Sequence, residues 1–167
     1  MALVLISGAL AFAPLPGHSQ ENGQKFKDWS ARCETPKGAA HESCFIFQRL
    51  VTKKDDGFVP VLHVLVGYIT PDDEPGLFAT VPLGVSLPPG VQLSIDGGAP
   101  VSFGYSHCSN QGCLAALALS DALISKLKAG KNAVVTFYTG SHKPVSITVS
   151  LQGFTAGFNS LRKSIIR

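Results

Sequence analysis

The chain has 167 residues, of which 45% are hydrophobic and only 15% are charged, against a usual charged share of about a quarter. This composition excludes an intrinsically disordered protein, and the length suits one domain with a sizeable core. The formal net charge of +3 conceals an asymmetry, because residues 101–167 carry seven Lys or Arg but only one acid, Asp121. No basic stripe alternates with aromatic residues, so we predict that the chain binds no nucleic acid.

The first residues have the pattern of an export signal. MALVLISGALAFA has no charged side chain, and it is followed by two prolines and the small polar stretch GHSQ. Such a run is too short to span a bilayer but fits the apolar region of a secretory signal peptide. We therefore expect a signal peptide over residues 1–19 that is cleaved after Ser19. Because the usual positive residues are missing, we expect it to be truncated at its start.

Short strands are predicted in chain order after this segment. FKDWSARC and CFIFQRL, residues 26–33 and 44–50, read as two strands joined by a cysteine loop. FVPVLHVLVGYI, residues 58–69, is apolar enough for a strand that is buried on both faces. LFATVP adds a short strand. VQLSI and PVSFGYSHC are expected to pair through DGGA, because Asp-Gly supplies the positive φ angles of a tight hairpin turn.

One short helix is predicted near residues 120–129. Ser120 is a good N-cap, Asp121 lies in the first turn, and Gly130 is expected to end the helix at the C′ position. Apolar segments that are predicted as strands flank the helix in the sequence: CLAALAL precedes it, and NAVVTFY and KPVSITVSLQ follow it. The last of these shows strict alternation of apolar and hydroxyl side chains. Many strands with one helix favour an all-β, sandwich-like fold.

In an oxidising compartment, four cysteines are typical of two disulfides, with three possible pairings. Local pairing, Cys33 with Cys44 and Cys108 with Cys113, is favoured because each pair flanks a turn-rich stretch. HCSNQGC at residues 107–113 also raises chemical alternatives. A zinc site needs about four converging ligands, a redox pair favours Cys-x-x-Cys, and a nucleophile needs a free thiol with an oriented base. The pattern favours a structural disulfide, and we predict no metal, cofactor or catalytic residue.

The stretches DWSARC, CFIFQ, LPPGVQLSIDG, HCSNQGC and GFTAGF together resemble the invasion-associated locus B family, over residues 26–163. The resemblance implies an immunoglobulin-like β-sandwich, here a single domain over residues 20–167, in an exported protein of a bacterial envelope. It implies a place in the periplasm or at the outer membrane, and some members are linked to entry into host cells. The family has no established catalytic residues. By position, the resemblance implies a scaffold role for Trp29 and the four cysteines.

The partner is expected to be a protein, lipid or glycan component of the bacterial envelope or host surface. The basic C-terminal part provides the candidate contacts, although such charges are more often simply a solvated surface. These candidates are Lys126, Lys128, Lys131, Lys143, Arg162 and Lys163. Two other functions stay open: a periplasmic chaperone, which a long unpaired strand edge would favour, and a hydrolase, which a pocket with a perturbed histidine or carboxylate near His63 or His107 would favour.

Three further features are interpreted as structural. His63 is expected to be a hydrogen-bonded core histidine, since it lies inside the most apolar strand. The acidic residues 72–74 are expected to form a solvated loop, because no EF-hand pattern surrounds them. Trp29 and Cys33 lie four residues apart on a predicted strand and share a face, so we expect Trp29 to pack over the first disulfide.

Overall fold

The computed structural model describes residues 23–35, 42–55, 57–68 and 74–165, with side chains as far as residue 161. The expected signal peptide lies outside the described residues. Within them the chain forms eleven strands and two helices. They are β1 (Lys25–Phe26), β2 (Trp29–Glu34), β3 (Ser43–Lys54), β4 (Gly57–Tyr68), β5 (Gly76–Val81), β6 (Val91–Ile95), β7 (Val101–Phe103), β8 (Tyr105–Ser109), β9 (Gly112–Ala118), α1 (Asp121–Ala129), β10 (Asn132–Tyr138), β11 (Pro144–Ser150) and α2 (Phe154–Ile165).

The strands form two antiparallel sheets. The larger sheet has the order β1-β2-β3-β4-β5-β9-β8, and the smaller has the order β11-β10-β6-β7. The inner faces of both sheets line one small void of about 10 Å³, with Val66 and Leu77 on one side and Leu93 and Val135 on the other. A void this small leaves room for about one water at most, so the core is closely packed. The two sheets therefore form the β-sandwich that the strand pattern predicted.

Two predicted strands are each divided in two. Lys27 has a positive φ of 54° and turns the chain between β1 and β2, which then pair with each other. PVSFGYSHC is also not one strand, because β7 lies in the smaller sheet and β8 in the larger, with Gly104 between them. This segment therefore crosses from one sheet to the other, which apolar periodicity within a single stretch does not reveal.

The DGGA hairpin prediction is confirmed, since β6 pairs with β7 and the turn has positive φ at both Asp96 and Gly97. The prediction that residues 58–69 are buried on both faces is wrong for the first part of β4. Residues 57–60 of that strand are exposed together with their partners on β3, so the β3–β4 hairpin projects from the body of the sheet.

The helix predicted near residues 120–129 is confirmed as α1, and the Ser120 hydroxyl accepts from the backbone N–H of Leu123. Gly130 does not adopt the left-handed C′ conformation that was expected. Its φ of −74° and ψ of 163° are extended, and its N–H donates to the carbonyl of Lys126. Extended backbone at this point leads the chain directly into β10.

The prediction of one helix is wrong, because α2 covers the larger sheet. Phe154, Phe158 and Leu161 are spaced on one helical face, and each is at most 2% exposed. The helix packs against β1 to β4 and against α1. Gly157 permits this close approach, because a Cβ there would lie 3.0 Å from Cγ2 of Ile46. A residue that weakens the helix locally thus lets it approach the sheet.

Gly67 on β4 offers a test of packing on the outer face of the larger sheet. It pairs with Phe45, and a Cβ at this position would lie 2.7 Å from both the Cα and the Cβ of that residue. We expect Gly67→Ala to lower the free energy of unfolding by about 1–3 kcal/mol, because the backbone of the paired strand β3 would have to move to make room for the methyl group. Gly104→Ala is the matched control, since nothing lies within 4 Å of its Cβ position. Equal stability of the two variants in urea unfolding would contradict this reading.

Candidate functional site

The first disulfide joins strands β2 and β3 at directly opposed positions. Cys33 and Cys44 are cross-strand neighbours with a Cα–Cα distance of 4.1 Å and an S–S bond of 2.10 Å, and both are buried. Glu42 lies beside them, and the three side chains form the one group of potential metal ligands found among the described residues. Because both sulfurs are bonded to each other, this group offers no thiolate to a metal ion.

The second disulfide closes the β8–β9 hairpin. Cys108 and Cys113 are opposed across the two strands, with an S–S bond of 2.06 Å, and Cys113 is buried while Cys108 is exposed. His107 is exposed as well, and its Nδ1 lies 3.5 Å from the hydroxyl of Ser106. The described residues contain no free cysteine. The histidine therefore has no thiol beside it to activate.

Trp29 anchors the core beside α2. Its indole packs edge-on against Phe154 with 5.3 Å between ring centres, and its Nε1–H donates to the carbonyl of Ser150 at 2.9 Å. Gln48 donates to the same carbonyl from its Nε2. Trp29 and Cys33 lie on the buried face of β2. Packing of the indole over the disulfide stays a prediction, because the ring contact that the structure gives Trp29 comes from α2.

The candidate basic contacts do not form one patch. Lys126 and Lys128 lie in the last turn of α1, and Lys131 follows after Gly130. Residues two positions apart on a helix do not face each other, so Lys126 and Lys128 point to different sides of α1. Lys143 lies at the other end of β10, whose seven residues span about 20 Å. The ammonium of Lys128 also lies 5.1 Å from the centre of the Phe158 ring, which gives it a structural contact. Arg162 and Lys163 belong to α2, and their side chains lie outside the described part.

A groove lies between α1 and the β6–β7 hairpin. Its volume is about 300 Å³, at the lower end of the range for small-molecule sites, about 300–1,000 Å³. The side chains that line it are mainly apolar, with one lysine and one aspartate at the rim. They are Leu93, Ile95, Asp96, Ala99, Val101, Leu123, Lys126 and Ala129, and Gly98 and Gly130 complete the lining. The sequence predicted both elements but not that they face each other.

The rim carboxylate, Asp96, is held by backbone groups. Its oxygens accept from the N–H of Lys131 at 3.0 Å and of Asn132 at 2.9 Å, so the hairpin turn is tied to the start of β10. These hydrogen bonds favour the ionised form and lower the pKa of Asp96 below its ordinary value of 3.8. A carboxylate with a lowered pKa is a weak general base. The two hydrogen bonds instead give Asp96 a structural role, because they connect the hairpin turn to the start of β10.

Acid titration tests this tie. Because the pKa of Asp96 is lower in the folded chain, its contribution to stability is present above the ordinary value of 3.8 and is lost as pH falls through the folded pKa. We expect Asp96→Asn to be less stable than the parent protein at neutral pH and this gap to shrink in strong acid. Thermal unfolding across the acid range measures the gap, and a gap independent of pH would contradict the assignment.

His63 lies on the outer face of the larger sheet, half-buried against Phe47, whose ring centre is 5.6 Å away in an edge-on arrangement. Burial, with a contribution from the nearby charge of Arg49, lowers the pKa of His63 below its usual value of 6.5. The expectation of a hydrogen-bonded histidine is wrong for Nε2, which is buried and has no partner among the described residues. His63 does not line the groove.

Of the acidic residues 72–74, only Glu74 is described, and it is exposed.

Comparison with known proteins identifies the family. The family model for the invasion associated locus B (IalB) protein matches residues 29–162. The chain belongs to the invasion-associated locus B family. Its similarity to curated proteins includes two invasion protein B homologues of Brucella abortus, from strain 2308 and from biovar 1 strain 9-941. Each is 28% identical to this chain over 159 residues, which cover 94% of this chain and 89% of the relative.

A solved structure shows the same fold. The crystal structure of invasion associated protein b from Bartonella henselae superposes with a TM-score of 0.71, covering 86% of this chain and 98% of that chain, at 23% identity. The sandwich of this chain is therefore the fold of that protein. Within the described residues, no helix is both long and apolar enough to cross a membrane.

Proposed function

We propose that this protein is an exported envelope component that acts by binding, in a role associated with host-cell invasion or envelope integrity. The observation that carries the proposal is the groove between α1 and the β6–β7 hairpin, an apolar concavity built on regular elements. Rigid walls favour binding, because little conformational freedom is lost when a ligand enters. Membership of a family named for invasion supports the biological setting.

Export is part of the proposal, and it has its own test. The uncharged first segment and two disulfides fit an oxidising compartment outside the cytoplasm. Fractionation of cells that express the full chain, followed by mass spectrometry of its N-terminus, should recover the mature form beginning after Ser19 in the periplasmic or outer-membrane fraction. Recovery of the uncleaved chain in the cytoplasm would contradict export.

Binding is tested by photo-cross-linking in intact cells. A photoreactive residue at Val101, in the groove wall, should capture a component of the envelope or host surface. The same residue at Phe58 is a matched control, because this side chain is 73% exposed on the β3–β4 hairpin and lies away from the groove. Capture of the same molecules from both positions would count against a binding function at the groove.

Client binding at a strand edge is the second candidate. β11 ends the smaller sheet and pairs only with β10, and with seven residues it is the longest of the four strands that end a sheet in the described chain. Open edges accept added strands from other chains. Capture of many unfolded envelope proteins by a photoreactive residue at Ser146 of β11 would support this function. For a hydrolase, neither His63 nor His107 is among the described residues that line the groove.

A further inference from the structure

The groove is a place where the core of the sandwich opens to the surface. Leu93 lines both the core void and the groove, and it is only 2% exposed. Val101 pairs with Leu93 across the hairpin and lies on the same inner face, yet it is 38% exposed. Leu93 faces the larger sheet across the core void, whereas on the groove side helix α1 stands opposite Val101. An inward-facing apolar surface is thus left uncovered at this end of the sandwich.

The groove lining holds one cationic side chain, Lys126, and one carboxylate, Asp96. Lys126 lines the groove, and no acidic side chain of the described chain lies within ion-pair distance of it. Its neighbours at three and four residues along α1 are Ala122, Leu123, Ala129 and Gly130, so the helix supplies no acid to neutralise it. The carboxylate of Asp96 keeps its negative charge, but it accepts hydrogen bonds from the backbone N–H groups of Lys131 and Asn132 and interacts with the charge of Lys131 rather than forming an ion pair with Lys126. The rim therefore presents a cation above an apolar floor.

We propose that this groove binds a free single-chain anionic amphiphile, with its alkyl chain against Leu93, Val101 and Leu123 and its anionic head beside Lys126. This proposal rests on the proposed binding function and names the ligand class. Alkyl chains gain free energy from leaving water, and a head with opposite charge to the ammonium adds a charge-assisted hydrogen bond. A groove of about 300 Å³ is at the small end of ligand sites, so it suits one chain better than the two chains of a membrane phospholipid.

Titration calorimetry with dodecanoate, below its micelle concentration, tests the proposal on the purified protein. Dodecyl maltoside, also as a monomer, provides the same alkyl chain with an uncharged head. We expect Lys126→Glu to weaken dodecanoate binding about tenfold and to leave dodecyl maltoside binding unchanged. Val101→Glu should weaken both ligands about tenfold or more, because it places a charge on the apolar wall. Lys143→Glu is the matched control and should change neither affinity.

Each other outcome overturns the inference. It is wrong if dodecanoate does not bind, if Lys126→Glu and Lys143→Glu have equal effects, or if Val101→Glu binds both ligands normally. It is also wrong if the protein binds phosphatidylglycerol vesicles but not monomeric dodecanoate, since the site would then recognise a membrane surface. All three glutamate variants are at exposed positions, and thermal unfolding checks that they fold. Absence of dodecanoate binding together with capture of a protein at Val101 in cells would refute this ligand class and leave the binding function standing.

Discussion

Replacing Trp29 with alanine is expected to lower the free energy of unfolding by about 3–5 kcal/mol. The indole is 1% exposed, lines the small void at the centre of the core, and packs edge-on against Phe154. Its removal leaves a cavity, because the surrounding residues of the two sheets and α2 cannot all move to fill the space. The cost of this cavity adds to the free energy lost with the buried apolar surface. The substitution also removes the aromatic contact between β2 and α2.

Trp29→Phe separates packing from hydrogen bonding. Phenylalanine keeps an aromatic ring against Phe154 but cannot donate to the carbonyl of Ser150. The free energy of unfolding is expected to fall by only about 1 kcal/mol, plus the cost of the smaller ring, because Gln48 still donates to that carbonyl. The acceptor is therefore not left buried without a partner.

Urea unfolding followed by circular dichroism measures both effects, since the chain has only one tryptophan and its fluorescence is lost in both variants. Phe58→Ala is the matched control for removal of a large aromatic side chain, because Phe58 is 73% exposed and its loss should cost less than about 0.5 kcal/mol. A cost for Trp29→Ala below that of Trp29→Phe would show that the indole does not hold the core as described.

The parts of the fold that the sequence predicted are those with local causes. The β6–β7 hairpin depends on Asp96 and Gly97 in its turn, and α1 depends on the cap at Ser120. Each of these signals acts within about four residues, so a single stretch contains all the information that is needed. Strand alternation in β11 is local in the same way, since one face of that strand meets the core and the other meets solvent.

The second helix could not be predicted in this way. The helical spacing of Phe154, Phe158 and Leu161 was the available signal, and Gly153 and Gly157 weaken it because glycine is a poor helix former. The structure shows that both glycines serve tertiary packing. A Cβ on Gly153 would collide with the carbonyl of Phe26, where β1 passes beneath the start of the helix. Contacts of this kind join residues more than a hundred positions apart and leave no local pattern.

The groove was missed for a related reason. Leu93 and Val101 read as inward-facing strand residues, and Leu123 reads as part of the apolar face of α1. Whether such side chains meet the opposite sheet or stand open to solvent depends on where α1 crosses the end of the sandwich. That position is set in part by Asp96, whose carboxylate holds the start of β10, and Asp-Gly pairs in hairpins are normally explained by turn geometry alone.

Removing both disulfides is expected to lower the free energy of unfolding by about 5 kcal/mol, as the sum of about 3 and about 2 kcal/mol for the separate pairs. The pairs span 11 and 5 positions, so the first restricts a longer loop of the unfolded chain. Alanine at Cys33 and Cys44 also removes buried atoms, whereas Cys108 is exposed. This widens the difference between the stability costs of losing the first and the second disulfide. A loss of about 5 kcal/mol is comparable to the whole stability of a marginal domain.

Three variants measured by urea unfolding separate these contributions: Cys33→Ala with Cys44→Ala, Cys108→Ala with Cys113→Ala, and all four together. Each double variant should still unfold cooperatively, because the core between the sheets is intact in both. The four-cysteine variant should show the summed loss, since the two bonds lie on different strand pairs and share no residue. A cost for the second pair equal to or above that of the first would refute loop restriction as the main source of stability. It would place the main effect in the folded hairpin, where Cys108 and Cys113 hold β8 at the edge of the larger sheet.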